Sequence, residues 1–91
     1  KLEGEAYFKV AKGSKFDVIT EAGTVSVLGT EFNVKQRKNY FEVICFEGLV
    51  GVTHNGQTVK LKPGFSFLLI DGKVYLMFFF FFTFLIMIMM R

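Results

Sequence analysis

The chain has 91 residues, eleven Lys and Arg against eight Asp and Glu, a net charge of +3, one histidine, one cysteine and no tryptophan. This length accommodates at most one domain, and a domain of this size buries only about 60–65% of its unfolded surface. The weak, interspersed charge gives no basic stripe of the kind nucleic acid requires, and a lone cysteine excludes an intramolecular disulfide.

From the N-terminus, Lys1 opens the chain with no signal-peptide pattern of basic start, apolar run and small-residue cleavage site. That beginning reads as a trimmed terminus or as an excerpt from a longer polypeptide. Ala6, Phe8 and Val10 then alternate with polar residues and share one face, as do Phe16 with Val18, Val25 with Val27, and Phe32 with Val34. Period-2 alternation is what a half-buried strand requires, because successive side chains point to opposite faces of a sheet. Turn chemistry separates the runs at Lys12-Gly13-Ser14, Ala22-Gly23 and Gly29-Thr30. The runs Tyr40–Phe46 and Leu49–Thr53 are split only by Glu47-Gly48, where the glycine reads as a bend or bulge. Asn55-Gly56 and Asp71-Gly72 carry the hairpin signal of a type I′ turn, and Pro63-Gly64 suits the centre of a type II turn. No segment before Val74 sustains a 3.6-residue apolar period. The pattern predicts an all-β fold: a small antiparallel β-sandwich or jelly-roll-like domain of eight or nine short strands.

Composition changes near Val74. Through that residue the chain has ten Lys and Arg and eight Asp and Glu, a net +2, whereas only Arg91 is charged beyond it. Residues 74–90 are apolar except for Thr83, and 78–82 are five consecutive Phe. The expected organisation is a β-domain over 1–74 and a low-complexity apolar tail over 75–91. Three readings of the tail stand open: an out-of-frame end, a short membrane anchor near the lower limit of about 17 residues, or a last strand paired through the Asp71-Gly72 hairpin.

Catalytic chemistry has little to work with. His54 is the only histidine and reads as a solvated turn residue, and no other imidazole is present to join Ser14, Ser26 or Ser66 in a triad. Common metal sites need several His, Cys or carboxylate ligands together. Glu3, Glu5, Glu42 and Glu47 read as outward strand positions, and Cys45 as a small buried hydrophobe. No catalytic, cofactor or metal residue is assigned, no cofactor is expected, and the chain does not read as an enzyme.

The stretches LEGEAYFKV at 2–10, FDVIT at 16–20, GTVSVLGTEFNV at 23–34, FEGLVGV at 46–52 and LKPG at 61–64 resemble, in order and spacing, the periplasmic domain of FecR-type regulators, most closely those of Bacteroidota. VLGTEFNV at 27–34 is the most specific part. The resemblance implies a non-enzymatic signalling module at the inner membrane, in the periplasm. There it relays the state of an outer-membrane TonB-dependent transporter to an extracytoplasmic-function (ECF) sigma factor. It implies protein partners, the transporter's signalling domain and the sigma factor, and no catalytic residue. Gly4, Ala6, Phe8, Val27, Gly29, Thr30, Phe32, Val34, Gly48 and Gly64 read as core and turn positions within it. No sigma-binding segment, preceding transmembrane helix or second periplasmic domain is recognisable, so the expectation is an incomplete fragment. Residues 75–90 offer contact with a membrane. The alternative is a carbohydrate-binding jelly roll of the cell envelope, which would need exposed aromatics on one face; Tyr7, Tyr40 and Tyr75 are the only tyrosines.

Overall fold

The computed structural model describes residues 1–78. Seven strands are present among them: β1 (Gly4–Lys9), β2 (Lys15–Ile19), β3 (Thr24–Arg37), β4 (Tyr40–His54), β5 (Gln57–Leu61), β6 (Phe65–Ile70) and β7 (Lys73–Phe78). They form one antiparallel sheet with the central path β1-β3-β4-β6-β7. The all-β expectation holds. Among the described residues there are seven strands where eight or nine were expected, because the glycines read as breaks at Gly29 and Gly48 lie inside two long strands.

Those two strands, β3 and β4, are the spine. β2 pairs with Thr24–Leu28 of β3, and β1 pairs with Glu31–Gln36 of the same strand. On the other side β6 pairs with Tyr40–Ile44 of β4, and β5 with Val50–His54. Each half of the spine therefore carries its own flanking strands. The two halves meet at a register irregularity between Leu28↔Leu49 and Phe32↔Cys45.

The irregularity decides which residues are buried. In β3 the buried positions are Val25 and Val27 before it and Thr30, Phe32, Val34 and Gln36 after it, so the inward face moves from odd to even numbers. In β4 the same change occurs, from Phe41, Val43 and Cys45 to Val50 and Val52. A one-residue slip in one strand alone would turn its apolar set to solvent. Here both strands slip at the same level, and their pairing is restored beyond it. Gly29 and Gly48 make this geometry, with φ of 58° and 85°. A Cβ on Gly29 would come within 2.6 Å of the Lys12 Cα, and one on Gly48 within 2.8 Å of the Gly29 carbonyl oxygen. The Gly48 bulge expected from sequence is thus present, with Gly29 as its counterpart.

The two halves close on one core. Val18, Val25, Val27, Val50, Val52 and Leu61 come from one half, and Phe32, Val34, Phe41, Val43, Cys45 and Phe67 from the other. Phe8 stacks on Phe32 with ring centroids 4.9 Å apart and reaches across to Phe16 at 5.5 Å. The Leu2 amide donates to the Ile19 carbonyl at 2.7 Å and ties the chain start to the far half. One sheet folded across itself in this way has a sandwich-like body.

The turns follow their residues. Asn55 and Gly56 have φ of 50° and 75°, and Asp71 and Gly72 49° and 81°, as type I′ turns require. The Phe65 amide donates to the Lys62 carbonyl at 3.0 Å across Pro63-Gly64. The β3–β4 connection, Lys38-Asn39, places Asn39 at φ 59°. β7 runs through position 74, paired with β6 from Ile70↔Lys73 to Phe65↔Phe78. The remainder of the expected 75–91 tail lies outside the described residues.

Candidate functional site

The polar residues considered as chemical candidates are dispersed. Among the described residues no group of three or more His, Cys, Asp and Glu side chains is placed to hold a metal ion. His54 differs from the sequence expectation of a solvated turn residue. It is half-buried, its Nδ1 donates to the Ala22 carbonyl at 2.7 Å, and its ring meets Phe67 edge-on at 6.4 Å. The cause is the folded sheet, which brings the Thr20–Gly23 turn over the end of β4. The Thr20 hydroxyl accepts from the amides of Ala22 and Gly23, which points the Ala22 carbonyl outward for His54.

Cys45 is buried, as expected, with Sγ 3.6 Å from the Gly48 carbonyl oxygen. Burial pushes its thiol up from 9.0 to about 11, so the nucleophilic thiolate is suppressed. The Ser66 hydroxyl is buried and donates to the Met77 carbonyl at 3.4 Å. Ser14 lies in the β1–β2 loop, and Ser26 faces outward from β3, on the opposite side of the sheet from the His54 ring, which packs against the buried Phe67. The glutamates do not converge: Glu5 accepts from Asn33 at 3.0 Å, Glu31 from Tyr7, and Glu42 from Tyr40 at 3.0 Å. Desolvation first, and the Glu42 carboxylate second, raise the Tyr40 phenol above its ordinary value.

What the fold does assemble is surface. On the outer side of the first half, a shallow groove of about 550 Å³ runs over β3 and β4 between the side chains of β2 and β5. Its floor is Leu28 and Leu49, 54% and 45% exposed, which face each other directly in the register, with Ser26 and Gly51 beside them. Lys15 and Asp17 stand on the β2 wall, Thr58 and Lys60 on the β5 wall. Sequence reasoning passed over Leu28 and Leu49. The signal was present: each adjoins a bulge glycine and sits out of phase with the buried valines next to it.

On the outer side of the second half, a groove of about 450 Å³ is lined by Tyr40, Ile44, Leu68, Ile70, Tyr75 and Met77 together with Glu42 and Ser66. β7 continues this apolar character onto the other face, where Val74 and Leu76 are 48% and 56% exposed. Edge strands are ordinarily guarded by charge, and β1, β2 and β5 carry Lys, Glu or Asp within their length. β7 carries only Lys73, at its first position. Among the described residues no helix is long and apolar enough to cross a membrane.

Comparison with known proteins agrees with this architecture. Residues 1–51 match the family model described as FecR protein. Two crystal structures of a "putative anti-sigma factor" from Parabacteroides distasonis share the fold, with TM-scores of 0.76 and 0.77. Each is 31% identical to this chain and is matched over 82% of it and 38% of the solved chain. No curated protein sequence matches. The matched residues include both bulge glycines, the stacked pair Phe8 and Phe32 and most of the core. The fold thus defines a small all-β domain shared with these structures. The chain belongs to the FecR family. It spans 38% of the length of the solved relatives.

Proposed function

We propose that this chain supplies the periplasmic β-domain of a FecR-type anti-sigma regulator at the inner membrane. In that role it helps to relay the state of an outer-membrane TonB-dependent transporter to an ECF sigma factor. The observation that carries the reading is the family match over residues 1–51, joined to a shared fold with a protein described as an anti-sigma factor. The domain contributes a rigid folded sheet and partner-facing surfaces rather than a reaction centre. The sigma-factor contact belongs to other parts of such a regulator, and the apolar sequence of residues 75–90 supplies a membrane contact.

The carbohydrate-binding reading has less support. Tyr40 and Tyr75 line one groove, but its other walls are chiefly Ile44, Leu68, Ile70 and Met77. Sugar hydroxyls need polar partners, which these side chains lack.

The test is a transcriptional reporter for the cognate sigma factor in the native host. Replacing Phe32 with Asp to unfold the domain is expected to uncouple reporter output from transporter substrate. An unchanged response to substrate, with the altered domain shown to be unfolded, would contradict the proposal.

A further inference from the structure

The two outer faces of the sheet treat their charges differently. On the second half the polar side chains satisfy one another: Glu5 with Asn33, Tyr7 with Glu31, Tyr40 with Glu42, and Lys35 over the Tyr40 ring at 5.6 Å. On the groove face the side-chain pair is a neutral one, Thr53 with Thr58 at 2.8 Å, and no charged pair is present there among the described residues. Lys15 and Lys60 line the groove from opposite walls, and the exposed Lys62 follows directly where β5 ends. The ion pair between Lys1 and Glu21 involves none of them. Asp17 is the single carboxylate on the groove wall, so the lining carries one positive charge in excess, and Lys62 adds a second just beyond it along the chain.

Between these lysines lies an apolar floor. Leu28 and Leu49 are exposed at its centre, and Gly51 adds no side chain, so the floor dips beside them. The walls belong to β2 and β5, three strand spacings apart, or about 14 Å. That span admits one polypeptide segment lying on the sheet; an α-helix with its side chains is about 10–12 Å across. Ammonium groups above an apolar floor complement a segment that presents aliphatic side chains downward and carboxylates to both sides.

We propose that this groove is a docking site for an acidic amphipathic segment of a protein partner. The aliphatic side chains of the segment pack on Leu28 and Leu49 over Gly51, and its carboxylates pair with Lys15, Lys60 and Lys62. The class of partner rests on the regulatory reading above; the groove and its charge do not. Asp17 sets the polarity, since it disfavours a carboxylate at its end of the β2 wall and leaves Lys15 as the anchor there.

The experiment uses the full chain and a fluorescein-labelled helical peptide of Glu and Leu with leucines on one face, measured by fluorescence anisotropy at low and high salt. A peptide with Lys in place of Glu serves as the control. The acidic peptide is expected to bind saturably and to weaken with salt, and the basic peptide is not. In the Lys15→Glu, Lys60→Glu variant, with circular dichroism unchanged, acidic-peptide affinity is expected to fall at least about tenfold while the basic peptide gains affinity. Leu49→Ser should weaken the acidic peptide without altering the salt dependence.

Equal binding of both peptides, or affinity unmoved by the charge reversal, would overturn the proposal. So would binding to phosphatidylglycerol vesicles that the Lys15→Glu, Lys60→Glu variant loses, with none to the acidic peptide, which would make the surface a lipid contact. The sigma-factor reporter distinguishes failure here from failure of the regulatory reading, because that response does not depend on which face docks.

Discussion

Gly48→Ala is the sharpest perturbation of the fold. Gly48 has φ of 85°, a region that costs an L-residue about 1–2 kcal/mol. Its new Cβ would sit 2.8 Å from the Gly29 carbonyl oxygen and 2.8 Å from the Thr30 hydroxyl. Thr30 is buried and donates to the Leu49 carbonyl at 3.0 Å, so displacing it forfeits a hydrogen bond worth about 1 kcal/mol. Lower entropy of the unfolded chain returns about 0.4–1 kcal/mol. The net loss from these terms is about 1–2.6 kcal/mol, against about 4–12 kcal/mol for a domain of this size. Gly51→Ala is the matched control: its Cβ would meet only the Ser26 carbonyl oxygen at 3.6 Å and a Thr58 methyl at 3.7 Å, ordinary contacts. Urea unfolding followed by far-ultraviolet circular dichroism measures both, and Gly51→Ala should stay within about 0.5 kcal/mol of the parent. Equal stabilities for the two variants would refute the claim that the paired glycine bulge sets the buried faces.

Further outcomes follow from the core and its polar brackets. Phe32→Ala removes a fully buried ring stacked on Phe8 and should cost about 3–5 kcal/mol by the same unfolding assay, enough to leave much of the chain unfolded. His54→Ala removes the hydrogen bond to Ala22 and the edge contact with Phe67, and should cost about 1–2 kcal/mol in thermal unfolding. Cys45 should resist iodoacetamide in the native state at neutral pH and react on unfolding, as read by mass spectrometry. Its folded thiol titrates at about 11 and the exposed thiol near 9.0, so the folded state holds the proton more tightly. The stabilisation is therefore complete below about pH 9 and is lost as pH rises towards about 11, a decline that Cys45→Ala should reduce.

Much of this fold was legible because its turns are written in residue types with narrow conformational range. Asn55-Gly56, Pro63-Gly64 and Asp71-Gly72 each fix a local geometry that tertiary contacts need not supply. Lys38-Asn39 was harder to read, since Asn39 takes its positive φ without a glycine beside it. The length of β3 and β4 was hidden for a different reason. Gly29 and Gly48 look like strand ends one at a time, and only their meeting across the sheet turns two breaks into one shared bulge. His54 was misread because its acceptor, Ala22, is 32 positions away and is brought near by folding alone. The groove on the outer face was passed over although its residues are in phase: Leu28 alternates with the buried Val25 and Val27, and Leu49 with the buried Val50 and Val52, but only the fold sets β2 and β5 as walls beside them.

Titrating the full chain with the purified N-terminal signalling domain of a TonB-dependent transporter from the same organism, by isothermal calorimetry, tests the proposed function most directly. The proposed function predicts saturable one-to-one binding that is lost in the unfolded Phe32→Asp variant. An absence of binding at high concentration of both folded partners, alongside saturable binding of the chain to a glycan, would contradict it.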